Sequence, residues 1–126
     1  MRLVDTSAWI AWLIGSPVGL RLREEIPAPE NWLVPTIVQL ELAKWLRREL
    51  DAARADRVLA LSSTCHVVPL DGDIAFAAAE LCRRHRLVTA DAIVYATALA
   101  NDADLLTCDT HFQGLDGVRY FAKTGH

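Results

Sequence analysis

Only three cysteines, Cys65, Cys82 and Cys108, occur in 126 residues, and no two lie at a metal-type spacing. That excludes a disulfide framework and reads as the reduced thiols of an intracellular protein. Long hydrophobic runs are missing as well. No apolar stretch reaches the roughly 18–20 residues a membrane span needs, so no membrane association is expected. The opening residues MRLVDTSAW meet an acid after two apolar positions, too early for a secretory leader, and a cytoplasmic location is expected. An excess of positive charge is also lacking. Thirteen Lys and Arg against 16 Asp and Glu leave a net charge of −3, which gives no whole-molecule argument for nucleic-acid binding. Only a local basic patch could serve that purpose. Repeats, low-complexity segments and long linkers are absent.

What remains is a globular composition, 52% hydrophobic and 23% charged, of a length suited to one domain spanning 1–126. The first block, Leu3-Val4-Asp5-Thr6-Ser7-Ala8-Trp9-Ile10, reads as an apolar strand over 2–5 that ends on a carboxylate and passes at once into a helix over 6–14. Gly15-Ser16-Pro17 stops that helix, and a second short one is expected over 17–25, before Pro27-Ala28-Pro29. Trp32-Leu33-Val34 is a short strand or a buried extended segment. Thr36 and Gln39 form a T-x-x-Q capping-box signature ahead of a long helix. Its helical spacing groups Ile37, Leu40, Glu41, Lys44 and Trp45, which puts Glu41 among apolar neighbours. Residues 51–62 continue this helix or form another, and Lys44, Arg47, Arg48 and Arg54 make the best candidate for a positive strip.

Further along, His66–Leu70 reads as a strand and Asp71-Gly72-Asp73 as a turn into a helix over 73–84, with Ile74, Ala77, Ala78 and Leu81 on one face. Thr89 is placed to cap a helix over 90–101, nearly all small or apolar and expected to be buried on most sides, with Asp91 in its first turn. Leu105–Thr107 is a strand leading to Cys108-Asp109-Thr110, and 118–121 is a last strand. This alternation predicts an α/β fold with a mostly parallel central sheet flanked by helices on both faces. Right-handed crossovers bring all strand carboxyl ends to one edge, where open α/β sheets bind their ligands.

Four acids are candidates for that edge: Asp5, Glu41, Asp91 and Asp109. Taken singly, Asp5 and Asp109 read as helix or turn caps, and Asp91 as a first-turn acid favoured by the helix dipole. Glu41 resists so plain a reading, because a glutamate on an apolar face is rarely buried unpaired. Taken together they repel: two unit charges ~4 Å apart cost about 4 kcal/mol at an effective dielectric of 20. Protons or a hard divalent cation must compensate, and Mg²⁺ or Mn²⁺ held by carboxylates suits phosphate chemistry. The hydroxyls of Thr6, Ser7 and Thr107 are placed to orient these carboxylates or a bound water, or simply to cap and to close strand ends. Asp102 and Asp104 are expected as solvated loop acids. His66, His85, His111 and His126 show no ligand spacing to one another and are assigned no catalytic role. Arg83, Arg84 and Arg86 read as a solvated helix end. Trp9, Trp12, Trp32 and Trp45 read as core or partner interface before base stacking.

The segments LVDTSAWI at 3–10, TIVQLELAKWL at 36–46, TADAIVYATAL at 89–99 and DLLTCDTHF at 104–112 together resemble the signature blocks of the PIN-domain ribonucleases. They are most similar to the small toxins of VapBC-type toxin–antitoxin pairs, and the likeness runs from the first residues to Phe112. The resemblance implies a metal-dependent endoribonuclease. It gives the acid roles, both catalytic and metal-holding, to Asp5, Glu41, Asp91 and Asp109, with Mg²⁺ or Mn²⁺ as cofactor. It further implies a homodimer, an RNA substrate, and a cognate antitoxin whose tail lies over the acidic site and supplies a basic side chain. Other readings are a PIN-fold nuclease that processes RNA without an antitoxin, and a non-catalytic binding module whose acids only cap helices. A phosphoacceptor receiver domain also clusters aspartates on a doubly wound sheet, but its acids follow different strands.

Overall fold

In the computed structural model, residues 1–123 are described; His126 lies outside them. The chain winds around β1 (Arg2–Val4), the middle strand of a five-stranded sheet ordered β3-β2-β1-β4-β5. Its neighbours are β2 (Trp32–Pro35), β3 (His66–Val68), β4 (Asp104–Thr107) and β5 (Val118–Tyr120), and every pairing is parallel. Leu3 pairs with Leu33 on one side and Leu105 on the other, and all three are essentially inaccessible. Continuous burial is what a parallel strand covered on both faces demands, and it explains the apolar runs Leu3-Val4, Trp32-Leu33-Val34 and Leu105-Leu106.

From β1 the chain moves outward through β2 to β3, then crosses back to β4 on the far side. The strand order therefore reverses between β1 and β4, which opens a crevice at their carboxyl ends. Right-handed crossovers running in opposite directions deliver their helices to opposite faces. Among the described residues these are α1 (Thr6–Ile14), α2 (Pro17–Leu22), α3 (Thr36–Glu49), α4 (Ala52–Ser63), α5 (Gly72–His85) and α6 (Thr89–Ala100). Helix α6 buries seven consecutive residues, Ala92–Ala98, as its composition predicts. None of these helices is long and apolar enough to cross a membrane.

Helix α1 stops at Gly15, whose φ of 72° suits glycine and whose N–H returns to the Ala11 carbonyl. Ser16 caps α2 by accepting from the Gly19 N–H at 3.2 Å. A Cβ on Gly19 would lie 1.9 Å from the Ala11 oxygen, so only glycine lets α1 and α2 approach this closely. Trp9 and Trp32 stack beneath them with ring centroids 4.4 Å apart, and Trp12 meets both edge-on. Trp9 and Trp32 are therefore core.

Several local expectations are corrected. Helix α2 ends at Leu22, three residues short of the reading that ran to 25. The T-x-x-Q capping box does not form: Pro35 occupies the cap position, and Gln39 instead donates to Ser62 Oγ at 3.1 Å. The buried stripe of α3 is Val38, Leu42 and Leu46, so Glu41 borders it and Leu40 faces out. Ala77 is exposed on α5. Thr89 is the first residue of α6, after Val88, and makes no capping bond. Asp104 is no solvated loop acid: it begins β4 and receives both Nε and Nη2 of Arg2, at 2.9 and 2.8 Å. Arg2 also bonds Glu25, which pairs with Arg119, tying the amino-terminal edge of the sheet together with charge.

Candidate functional site

Asp5 directly follows β1, at the mouth of the crevice where the strand order reverses. It holds the position preceding α1, yet its side chain makes no capping bond, so the plain capping role is not the one realised. Instead its Oδ2 accepts from Ser7 Oγ at 2.9 Å and from Thr107 Oγ1 at 2.8 Å. Asp5 as a whole is only 5% exposed. Burial pushes its pKa up from 3.8 to about 6, against the two hydroxyls that favour the anion and with the nearby Glu41 charge adding to the rise.

The same hydroxyls fix the end of β4. Thr107 Oγ1 also accepts from the Asp109 N–H at 2.9 Å, and Ser7 Oγ accepts from the Cys108 N–H at 3.0 Å. Each hydroxyl gives its proton to Asp5 and its lone pair to the backbone of the neighbouring strand end. Thr6, one residue on, donates to Glu41 Oε1 at 2.7 Å and so draws α3 to the same edge. The three hydroxyls singled out in the sequence thus all donate to a carboxylate.

Asp91, in the first turn of α6, and Asp109, just past β4, converge from the other side. Asp109 does cap: its Oδ1 accepts from the His111 N–H at 2.9 Å, closing a 3₁₀ turn over Thr110–Phe112. That turn swings His111 over both acids, with Nδ1 2.9 Å from Asp91 Oδ2 and 3.4 Å from Asp109 Oδ1. The hydrogen bond to Asp91, then the charges of Asp109 and Asp91, hold the imidazolium above its usual range. Sequence reasoning missed His111 because it looked for one histidine spaced from another. The legible signal was Asp-x-His directly after a strand, where a capped turn carries the ring back over its own cap.

The structure thus brings the four acids into two linked groups. Asp91, Asp109 and His111 offer ligand atoms all within 4.8 Å of one another. Asp5 joins them through Thr107, and Glu41 joins Asp5 through Thr6. Among the described residues, none of these four carboxylates pairs with a lysine or arginine, whereas Glu25, Asp51, Glu80 and Asp104 each do. A carboxylate set with no lysine or arginine paired to it among the described residues, and one imidazole beside it, fits a divalent cation.

A doubly wound parallel sheet with acids gathered at its switch point defines the class, an open-sheet α/β domain. The chain belongs to the PIN-domain family, whose profile matches residues 2–118. No curated protein matches it in sequence. Among solved structures, it is similar to a chain of a toxin–antitoxin complex from Klebsiella pneumoniae, at 24% identity, over 94% of this chain and 96% of that one, with a TM-score of 0.81. It is also similar to a chain of FitAcB from Neisseria gonorrhoeae, at 20% identity, over 98% of each chain, with a TM-score of 0.71. A third is VapC20 from Mycobacterium tuberculosis, described as a toxin cleaving the sarcin-ricin loop, at 24% identity over 92% of this chain and 95% of that one, with a TM-score of 0.68. At these identities the likeness is one of fold.

Proposed function

We propose that this protein is a Mg²⁺- or Mn²⁺-dependent endoribonuclease, the toxin of a type II toxin–antitoxin pair. The observation that carries the reading is the acid site itself. Four carboxylates gather at the switch point, linked through Thr6 and Thr107, with no lysine or arginine paired to them among the described residues. Membership of the PIN-domain family supports nuclease chemistry, and the toxin–antitoxin descriptions of similar structures support the toxin role.

In this reading Asp5, Glu41, Asp91 and Asp109 hold the cation at the crevice. A cation bound there supplies Lewis acidity toward a phosphoryl oxygen and a lowered pKa for the attacking water. The protein's own contribution is placement. Thr107 and Ser7 pin the buried Asp5 carboxyl, Thr6 pins Glu41, and the capped turn after β4 fixes Asp109. Burial raises the Asp5 pKa only to about 6, so at physiological pH most of the carboxyl is ionised and open to a cation. The chain acts as a homodimer in this account. The antitoxin tail would lie beside the acids, where Ile10, Ala11, Ile14 and Val18 line an apolar hollow next to Ser7.

Sequencing RNA ends after controlled expression tests the reading. New ends concentrated at one or a few sites, suppressed by co-expressing the cognate antitoxin, are the expected result. An unchanged population of RNA ends would contradict it.

A further inference from the structure

The proposed cation site carries a residue that the four-acid account does not use. His111 stands 62% exposed at the mouth of the crevice, yet its position is fixed from both sides. Its backbone N–H is held by Asp109, and the next residue, Phe112, is fully buried. A surface imidazole is ordinarily free to turn into water, but this one is set against two carboxylates by the turn that carries it.

We propose that His111 is a nitrogen ligand of the ion held by Asp91 and Asp109, and that it biases the site toward Mn²⁺ over Mg²⁺. This rests on the reading of the acid site as a cation site. Nδ1 lies 2.9 Å from Asp91 Oδ2 and 3.4 Å from Asp109 Oδ1, and the three ligand atoms all fall within 4.8 Å of one another. Adjacent corners of an octahedron with bonds of about 2.1 Å are roughly 3 Å apart, so these separations need little adjustment to share one ion. The neutral ring with its proton on Nε2 presents the Nδ1 lone pair to that position.

The donor set decides the preference. Mg²⁺ is a hard ion that favours oxygen and retains its waters, whereas first-row transition ions accept imidazole and gain affinity from it. Two carboxylates and one imidazole therefore discriminate where carboxylates alone would not. The bland alternative is a His–Asp ion pair that merely quiets two repelling acids. It predicts no nitrogen on the metal.

The test is pulsed electron paramagnetic resonance on the full chain loaded with Mn²⁺, alongside calorimetric titration with Mn²⁺ and with Mg²⁺. The expected result is a directly coordinated nitrogen coupling in the unaltered protein that disappears in His111→Ala. Affinity for Mn²⁺ should fall about tenfold in that variant while affinity for Mg²⁺ changes much less. The exposed ring leaves folding undisturbed, which far-ultraviolet circular dichroism checks. Mn²⁺ bound without nitrogen coupling, or a coupling that survives His111→Ala, overturns the assignment and leaves the nuclease reading standing. Failure to bind Mn²⁺ at all overturns both.

Discussion

Thr107 Oγ1 donates to Asp5 Oδ2 at 2.8 Å across 102 positions of sequence, and the same oxygen accepts from the Asp109 N–H at 2.9 Å. One fully buried hydroxyl therefore sets the distance between the acids that end β1 and β4. Thr107→Val keeps the shape and removes both bonds. It should cost about 1–3 kcal/mol of stability, since it strips the buried Asp5 carboxyl of a donor and leaves the half-buried Asp109 N–H unpaired, and lower kcat/KM about 10–100-fold by loosening the acids. Denaturant titration and cleavage kinetics on one preparation check both effects.

The buried Asp5 makes stability depend on pH in a defined direction. Its folded pKa of about 6 exceeds its ordinary 3.8, so between those values the folded chain holds a proton that the unfolded chain has lost. Metal-free protein should therefore gain stability as pH falls from 6 to 4, with roughly 2 kcal/mol from Asp5 alone. His111, whose imidazolium is favoured in the fold, acts in the same sense: its contribution is complete below its ordinary pKa and is lost as pH rises through the raised one. Asp5→Asn should remove the larger slope and be more stable than the unaltered protein at pH 7 in chelator. Urea titrations from pH 4 to 7 measure it.

Gly19 is required by backbone contact. With 1.9 Å between an added Cβ and the Ala11 oxygen, Gly19→Ala must separate α1 from α2 and should cost about 3 kcal/mol. Gly72, which has open space around a Cβ, is the control, and Gly72→Ala should stay within about 1 kcal/mol. Thermal unfolding of the two variants makes the comparison.

The charge network at the opposite edge should separate stability from chemistry. Arg2→Ala strands Asp104 and removes one partner of Glu25, which should cost about 1–2 kcal/mol because the guanidinium is largely covered. It touches none of the four acids, so kcat/KM should not change. A loss of activity matched to a loss of stability would show the two edges to be coupled.

The strands and helices were legible because burial writes itself in composition. Residues 3–4 and 105–106 are apolar on both faces of the sheet, and 92–98 are small or apolar on every side of a helix. The three donating hydroxyls were legible as neighbours of the acids. Less visible was everything fixed by distant partners. Gln39 found Ser62 in place of its own helix start, and Asp104 found Arg2, 102 positions away. His111 depended on a single 3₁₀ turn, whose direction no spacing of histidines encodes.

Cleavage of a defined RNA by the purified protein, in chelator and then with added Mg²⁺ or Mn²⁺, alongside Asp5→Asn, tests the central claim most directly. The account predicts no cutting in chelator, restored cutting with either ion, and none by the folded variant. Cleavage that persists in chelator, or full activity in Asp5→Asn, would contradict it.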